Sequence, residues 1–401
     1  MTPELLLWLD ALQGSGIRPG LSRMRALLRE LGNPERACPS IIVAGTNGKG
    51  STSSTLASIL NASGYRTGLY TSPHLVELRE RWMIGDSMIS PDALSSAIEK
   101  LRAAADRAEI VPTYFEALTL LAFIAFADAK CEVMVLEVGM GGRLDATNVV
   151  RPLAALITPI GFDHTEFLGT TIRQIAGEKA GVIHRGAIVL TSNDDPRVLG
   201  VLRHRAALFG NPFHVVTSRH PTPLAGDFQQ RNAALAVRAA EELRPLLPQI
   251  TRESIERGVS ETRWRGRLEK IQCDGKTIWI DGGHNAHAIA AIVPFIAQHV
   301  PPPRLLVFGI MGDKNVAEVT SALFPLFDAI IATEPYPPRS ELASRLVLLA
   351  GDRGVAEADP RLAIEKALAS DYRSIVIAGS LYLAGAAIEF FSRGGAGTRR
   401  E

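Results

Sequence analysis

The hydrophobic positions along the chain alternate between helical spacing and short uninterrupted runs. Helical spacing marks Leu5, Leu6, Leu9 and Leu12 and the apolar residues of 21–31, and it predicts further helices at 53–60, 91–105, 115–127 and 230–243. Uninterrupted apolar runs predict buried strands at 41–44, 67–70, 133–138, 154–158 and 187–191. Strands that alternate with helices in this way indicate a doubly wound, mostly parallel α/β sheet.

A second series of strands and helices begins near Arg267. Its predicted strands are 277–281, 305–309, 329–333 and 375–378, and its predicted helices are 286–298, 316–324 and 381–391. The joint is placed near 262–266, which predicts a larger domain at 1–264 and a smaller, Rossmann-like α/β domain at 265–401. The tail from Gly394 is rich in glycine and charge, and we expect it to fray.

Composition excludes several classes of protein. Among the 401 residues, Lys and Arg total 43 and Asp and Glu total 42, so a net charge of +1 gives no global attraction to nucleic acid or an anionic membrane. The three cysteines form no C-x-x-C pair, which argues against a disulfide framework and fits a reducing compartment. The start lacks the pattern of a secretory signal, and no apolar run reaches about 18 residues. We therefore expect a cytoplasmic protein.

A glycine-rich turn, VAGTNGKGST at 43–52, joins the predicted strand 41–44 to the predicted helix 53–60. Glycines expose backbone N–H groups, the helix N-terminus favours anions, and a lysine adds a mobile charge, so the segment predicts a phosphate-binding loop (P-loop). It departs from the usual pattern because Gly50 separates Lys49 from Ser51 and Val43 replaces the first glycine. A turn that binds nothing is the open alternative. The expected nucleotide contacts are Asn47, Gly48, Lys49, Gly50 and Ser51.

Two polar residues lie at the ends of strands in the larger predicted domain, 1–264. Glu137 closes the apolar run 133–138, and His164 follows the strand 154–158. In open α/β sheets ligands bind beyond the carboxyl ends of the strands, which is also where the glycine-rich turn lies. A buried acid there needs a cation or hydrogen-bond donors, so Glu137 is predicted to bind Mg2+. A helix-capping acid and an ordinary surface histidine are the alternatives.

The loop Gly-Thr-Asn-Gly-Lys-Gly-Ser resembles the ATP loop of the Mur ligase superfamily. Within that superfamily, the sequence resembles the folylpolyglutamate synthase / dihydrofolate synthase family. The segment 20–32 and the run 113–148 fit this family better than they fit the cell-wall ligases. The resemblance spans nearly the whole chain and includes several motifs in order.

The resemblance implies a set of site residues. Two motifs depart from the family, with Arg265 in place of a proline, and Gly283 and Ala286 in place of Ala and Pro. Each of three implied residues also has an ordinary structural alternative. Phe115 could pack in the core, Lys179 could be an exposed helix residue, and Asp281 could cap a helix. The implied residues are Thr113, Phe115 and Asp145 in a pterin pocket; Ser72, Glu137 and His164 on Mg2+; Lys179, which is carbamylated in relatives; and Asn232, Arg267, Asp281 and His284 on the nucleotide.

The resemblance also implies an activity. An ATP-dependent ligase would let a pteroate or folate carboxylate attack the γ-phosphate, and the amine of L-glutamate would then displace phosphate from the acyl phosphate. The expected catalytic residues are Lys49, Lys179 and His284, and a monomer is expected. The alternatives are a ligase for a UDP-linked muramyl peptide and a nucleotide-dependent switch without ligation. The sequence leaves open whether the first glutamate or a later one is added.

Overall fold

The computed structural model describes residues 3–16, 18–392 and 399–400. The chain divides into two compact units. The first is formed within Met1–His74, Leu78–Pro223 and Gln230–Arg263, and the second within Leu75–Glu77, Leu224–Gln229 and Trp264–Glu401. The sequence pattern predicts a joint near 262–266, but it gives no sign that two short earlier segments pack with the second unit.

An eight-stranded sheet forms the centre of the first unit, in the order β4-β3-β2-β5-β1-β6-β7-β8. All neighbouring pairs from β2 to β8 along this order are parallel, whereas β3 pairs antiparallel with both β2 and β4. The strands are β1 (Ser40–Ala44), β2 (Thr67–Tyr70), β3 (Trp82–Ile84), β4 (Ser87–Met88), β5 (Val133–Glu137), β6 (Ala154–Ile157), β7 (Ile188–Thr191) and β8 (Phe213–Val215).

Helices cover both faces of this sheet. Successive residues of β1 belong to different apolar clusters, with Ile42 and Ala44 in one and Ile41 and Val43 in the other, so both faces are buried. This arrangement confirms the doubly wound α/β fold. The helices are α1 (Pro3–Ala11), α2 (Ser22–Glu30), α3 (Lys49–Ala62), α4 (Pro91–Ala108), α5 (Tyr114–Asp128), α6 (Thr165–Leu168), α7 (Ile172–Ala180), α8 (Pro196–Phe209), α9 (Asp227–Leu243) and α10 (Arg252–Glu261).

The second unit has its own sheet, in the order β13-β12-β11-β14-β10-β9-β15. Strands from β13 to β10 are parallel, and β9 pairs antiparallel with β10 and β15. The strands are β9 (Glu269–Cys273), β10 (Lys276–Ile280), β11 (Arg304–Phe308), β12 (Ala329–Ala332), β13 (Gly354–Ala356), β14 (Ser374–Ala378) and β15 (Arg399–Arg400). The helices are α11 (Ala286–His299), α12 (Val316–Leu323), α13 (Ala343–Ala350), α14 (Pro360–Ala369) and α15 (Leu381–Ser392).

Several elements differ from the sequence-based expectations. Helix α3 begins at Lys49 rather than at 53, because Gly48 has a left-handed φ of 86° and directly precedes a buried, hydroxyl-rich first turn. The β3–β4 hairpin is not predicted because its strands span only three and two residues. The tail predicted to fray from Gly394 lies outside the described residues, apart from β15. Within the described part of the chain, no helix is long and apolar enough to cross a bilayer.

Candidate active site

The glycine-rich turn links the carboxyl end of β1 to the start of α3, as its sequence predicts. Gly45 and Gly48 have φ angles of 148° and 86°, which disfavour any residue with a Cβ. A Cβ at Gly45 would collide with the side chain of Thr158, and one at Gly48 would collide with the side-chain amide of Asn232. The fold therefore brings Asn232, which lies far along the sequence in α9, directly against the turn.

Polar groups of the turn are arranged to receive an anionic ligand. Lys49 Nζ donates a hydrogen bond to the Thr46 carbonyl at 3.0 Å, and its side chain is only partly buried. Ser51 is 2% exposed, yet its hydroxyl has no hydrogen-bond partner among the described residues, and the same holds for the hydroxyls of Thr52 and Ser53. A buried hydroxyl without a partner costs about 1–3 kcal/mol. The Ser51 hydroxyl thus fits an oxygen of a bound phosphate or its metal ion.

Replacing Gly48 by alanine tests how tightly the turn is built. The alanine would adopt a left-handed φ, at about 1–2 kcal/mol, and would also push Asn232 away. We expect Gly48→Ala to weaken ATP binding at least about tenfold, beyond any change in stability. Gly210→Ala is the matched control, because Gly210 has a φ of 66° with no atom near its Cβ position. Calorimetric titration and urea unfolding of both variants provide the comparison, and equal ATP affinity in both would contradict the close packing.

Lys179 lies near the end of α7 and is 4% exposed. Its Nζ donates to the carbonyl of Gly45 at 2.8 Å, so the structure brings this lysine to the glycine-rich turn. Burial, with a smaller contribution from the charge of Lys49, lowers the pKa of Lys179 to about 7, against the opposing effects of Asp163 and Asp145. The amine is consequently a base that exists largely uncharged just above neutral pH. It is not the exposed helix lysine of the alternative interpretation.

Glu137 and Ser72 meet at the end of β5. Glu137 is 5% exposed, and its Oε2 accepts a hydrogen bond from the Ser72 backbone N–H at 3.0 Å. In the sheet, Glu137 is in register with Val43, the first residue of the glycine-rich turn at 43–52. The carboxylate therefore lies at the edge of the sheet where nucleotide phosphates would bind.

His164 directly precedes α6 and has a left-handed φ of 50°. Its side chain is 38% exposed, and its Nε2 lies 3.9 Å from Asp163 Oδ1. No group of three or more His, Cys, Asp or Glu side chains suited to a metal ion occurs among the described residues. The predicted set has one carboxylate, one imidazole and one serine, and its oxygen donors suit a hard ion such as Mg2+. This metal set stays a prediction.

The predicted pterin residues surround the loop after β5. Thr113 caps α5, since its Oγ1 accepts from the Glu116 N–H while the Glu116 carboxylate accepts from the Thr113 N–H. The ring of Phe115 packs so closely on Gly139 that a Cβ there would collide with it, and it lies 6.3 Å from the ring of Tyr70. Phe115 and the loop after β5 thus form one wall, as an aromatic binding surface requires.

Asp145 lies buried at the end of the same loop. Its Oδ2 accepts from the Met140 N–H at 3.0 Å, and its Oδ1 accepts from the backbone N–H of Thr147 at 3.0 Å and from its hydroxyl at 2.6 Å. Burial raises the pKa of Asp145, and these hydrogen bonds oppose that rise. The carboxylate holds the loop in shape, and its pterin contact stays a prediction.

The C-terminal candidates form a cluster within the second unit. Asp281 is buried, with its Oδ1 accepting from the Gly283 N–H at 2.7 Å and its Oδ2 from the Leu268 N–H at 2.9 Å. Burial raises the pKa of Asp281, whereas the charge of Arg267 lowers it. His284 Nδ1 donates to the Gly282 carbonyl at 2.9 Å. The structure therefore brings together the three residues that the sequence motifs placed on the nucleotide.

Sequence reasoning missed a buried arginine in the first unit. Arg81 is 7% exposed, and its Nε donates a hydrogen bond to His74 Nδ1 at 3.0 Å. Burial, with a smaller effect of Arg81, lowers the pKa of His74 to about 4. The burial of Arg81 was not predicted, because Arg81 ends a charged run, 77–81, whose composition is typical of an exposed turn.

Comparison with known proteins identifies the class of enzyme. Residues 43–211 match the family description "Mur ligase middle domain", and residues 266–381 match "Mur ligase, glutamate ligase domain". The first match includes the glycine-rich turn, Glu137 and Lys179, and the second includes Arg267, Asp281 and His284. The fold and the site together therefore define an ATP-dependent ligase with two Mur ligase domains.

Individual relatives narrow this class. The dihydrofolate synthase/folylpolyglutamate synthase of Bacillus subtilis is 34% identical over 372 residues, covering 84% of this chain and 86% of that protein. The Mycobacterium tuberculosis folylpolyglutamate synthase complexed with ADP and AMPPCP is 33% identical, with a TM-score of 0.88 and coverage of 98% and 99%. The Escherichia coli FolC in complex with DHPP and ADP is 29% identical, with a TM-score of 0.87 and coverage of 97% and 98%.

The chain belongs to the folylpolyglutamate synthase / dihydrofolate synthase family. The predictions of the family, of the α/β fold and of an ADP-forming acid–amino-acid ligase are confirmed. Neither a ligase for UDP-linked muramyl peptides nor a non-ligating nucleotide switch is supported by these relatives.

Proposed function

We propose that this chain joins the carboxylate of dihydropteroate or of a reduced folate to the amine of L-glutamate. A carboxylate oxygen attacks the γ-phosphorus of ATP, the bond to the β-phosphate oxygen breaks, and ADP leaves. The glutamate nitrogen then attacks the acyl carbon, phosphate leaves with the C–O electron pair, and the amine loses a proton to solvent. The observation that carries this proposal is the glycine-rich turn, where Lys49, Asn232 and the unpartnered Ser51 hydroxyl come together.

The nucleotide contacts follow from the same turn. Backbone N–H groups of Gly48 and Gly50 suit phosphate oxygens at a helix N-terminus, and Lys49 adds a charge that can move to the γ-phosphate. The backbone N–H of Asn47 donates to the Pro159 carbonyl at 3.3 Å, so its proposed nucleotide contact is assigned to its side chain. Charge grows on phosphoryl oxygens in both steps, so fixed cations and donors stabilise both transition states. In the second unit, we place Arg267, Asp281 and His284 on the nucleotide as well, and domain 265–401 is proposed to contribute to glutamate binding. This assignment rests on their shared cluster and on the family's motifs.

Magnesium would be held by Ser72, Glu137 and His164. The buried carboxylate of Glu137 at the strand end and the unpartnered hydroxyl of Ser51 nearby fit a hard cation bound next to phosphate. Such an ion supplies positive charge to the phosphoryl oxygens when it is bound. The Ser72 N–H fixes the orientation of the Glu137 carboxylate before any ion arrives.

Lys179 is proposed to be carbamylated. Its neutral Nζ would attack the carbon of CO2 and form an N–C bond while one C–O π bond opens, and the nitrogen would release one proton, so that an uncharged amine becomes an anionic carbamate next to the metal residues. The pKa of about 7 and the buried position support this proposal, because only the uncharged amine is nucleophilic. As a carbamate, the side chain would no longer donate to Gly45 as an ammonium group.

The pterin acid is proposed to bind in domain 1–264, against Thr113, Phe115 and Asp145. The Phe115 ring offers the flat apolar wall, and Asp145 offers acceptor oxygens to ring N–H groups. We further propose that the chain works as a monomer, and that it does so in the cytoplasm, where a reducing environment keeps its free cysteines as thiols.

The proposal is tested by measuring phosphate release from ATP with different co-substrates. Wild-type protein should release phosphate only when dihydropteroate or tetrahydrofolate is present together with L-glutamate, with equal amounts of ADP and glutamylated product. Comparing the two pterin acids shows which glutamate is added. Phosphate release that needs neither co-substrate would contradict the proposal and indicate a simple nucleotidase.

A further inference from the structure

The guanidinium of Arg81 is a buried charge that forms no ion pair among the described residues, although the charge of Glu80 acts on its neighbour His74. Arg81 lies where a short helical turn, Leu78–Arg81, meets β3. In the described part of the chain, no carboxylate lies within 4.0 Å of this guanidinium. Its hydrogen-bonded neighbour is the ring of His74, whose Nδ1 accepts from Arg81 Nε and therefore carries no proton. An uncharged imidazole orients the guanidinium but leaves its charge uncompensated.

Such an arrangement is unfavourable in an empty protein. A buried charge is tolerated when an opposite charge or several hydrogen bonds meet it. One nitrogen is engaged by His74, and the terminal nitrogens retain the planar pair of donors that matches a carboxylate. The site is therefore built for an anion that comes from outside the chain.

The position of Arg81 indicates which anion. Burial raises the pKa of the neighbouring Tyr70, Arg81 lowers it, and Asp145 and Glu137 raise it, so all these charges act on one hydroxyl. The ring of Tyr70 also lies 6.3 Å from Phe115. The backbone carbonyl of Arg81 accepts from the Thr71 N–H at 3.1 Å, so Arg81 lies beside the end of β2 next to Tyr70, on the side of the first unit that carries the aromatic wall. The nucleotide is served by another cation, Lys49, at the glycine-rich turn.

We propose that Arg81, oriented by His74, binds the carboxylate of the pterin acid before it is phosphorylated. This inference rests on the proposed function, because it assumes that a pterin acid binds beside Phe115. The guanidinium fork holds the reacting carboxylate by two hydrogen bonds and leaves each oxygen a lone pair for attack on phosphorus. Arg81 is then the residue that selects an acid over a neutral pterin, and His74 is a positioning residue.

The test compares one ligand that has the carboxylate with one that lacks its charge. Affinities for dihydropteroate and for its carboxamide are measured by calorimetric titration, with AMPPCP and Mg2+ present. We expect Arg81→Gln to weaken binding of the acid about tenfold or more and to change binding of the carboxamide less than about twofold. Arg81→Lys, which keeps the charge but loses the planar fork, should fall between wild type and Arg81→Gln.

A distant arginine provides the matched control. Arg102 pairs with Glu4 on the surface, with 2.7 Å between Arg102 Nη1 and Glu4 Oε1, and Arg102→Gln removes the same charge far from the site. This variant should bind both ligands like wild type. Thermal unfolding of every variant separates a loss of affinity from a loss of folded protein.

The outcomes distinguish this inference from the proposed function. Equal losses for acid and carboxamide would mean that Arg81 only holds its loop, and unchanged affinity for the acid would mean that it makes no contact; either result overturns the inference. A wild-type chain that binds dihydropteroate with the predicted Arg81 dependence but never transfers glutamate contradicts the proposed function alone. A wild-type chain that binds no pterin acid overturns both.

Discussion

Replacing Lys49 by alanine should lower kcat/KM for glutamate transfer about 1,000-fold. Lys49 Nζ lies 3.0 Å from the Thr46 carbonyl, a weak neutral partner that it can exchange for a phosphate oxygen. Charge grows on the transferring phosphoryl group, and removing one preorganised cation from such a site costs about two to three orders of magnitude in rate. Product formation is followed by chromatography of the glutamylated pterin at saturating L-glutamate.

The control for this variant is Lys100→Ala. Lys100 Nζ lies 2.7 Å from both carboxylate oxygens of Asp128, in an exposed pair that contributes little to stability. Its loss should leave kcat/KM within about twofold of wild type. If Lys49→Ala transfers glutamate at a rate close to that of Lys100→Ala, the glycine-rich turn does not take part in the reaction.

Lys179→Met should abolish glutamate transfer and yet stabilise the protein. In buffer free of CO2, wild type buries an amine whose pKa falls from 10.5 to about 7, and methionine removes that penalty. The methionine leaves the Gly45 carbonyl without its hydrogen-bond donor, and this loss offsets part of the increase in the free energy of unfolding. We expect the free energy of unfolding at neutral pH to rise by about 1–3 kcal/mol. Urea unfolding measures this change, and Lys100→Met serves as the exposed-lysine control.

The pH dependence of this effect has a definite sign. Between about pH 7 and 10.5 unfolded wild type keeps a proton on Lys179 that the native state has lost, so the free energy of unfolding rises with pH. The rise amounts to about 1.4 kcal/mol for each pH unit relative to Lys179→Met, so the advantage of the variant shrinks as pH increases. An advantage that is constant with pH would show that Lys179 is not buried as an uncharged amine.

Local sequence patterns predicted the elements whose structure depends on residues that are close together in the sequence. Strands β1 and β5 were predicted closely, because both faces of each strand are covered and all positions except Ser40 and Glu137 are apolar. The glycine-rich turn was recognised because its chemistry is carried by adjacent residues. Helix α5 was predicted to within one residue at each end, because a continuous apolar stretch follows a capping threonine.

The features that escaped prediction depend on contacts between distant parts of the chain. The burial of Lys179 arises from packing of α7 against the turn, and no helical spacing distinguishes it from an exposed lysine. The pairing of Arg81 with His74 requires the backbone to reverse between them. The segment Leu75–Glu77 packs in the second unit because Gly385 lets the Leu75 backbone approach α15 closely, a contact between residues far apart in sequence.

The central claim, that the glycine-rich turn holds the triphosphate of ATP, is tested most directly by a crystal structure of this chain with AMPPCP and Mg2+. The account predicts phosphate density cradled by the turn, with Lys49 Nζ and the Ser51 hydroxyl both within about 3.2 Å of phosphate or metal-bound oxygens. Density for the triphosphate at any other place, with the Ser51 hydroxyl still unpartnered, would contradict it.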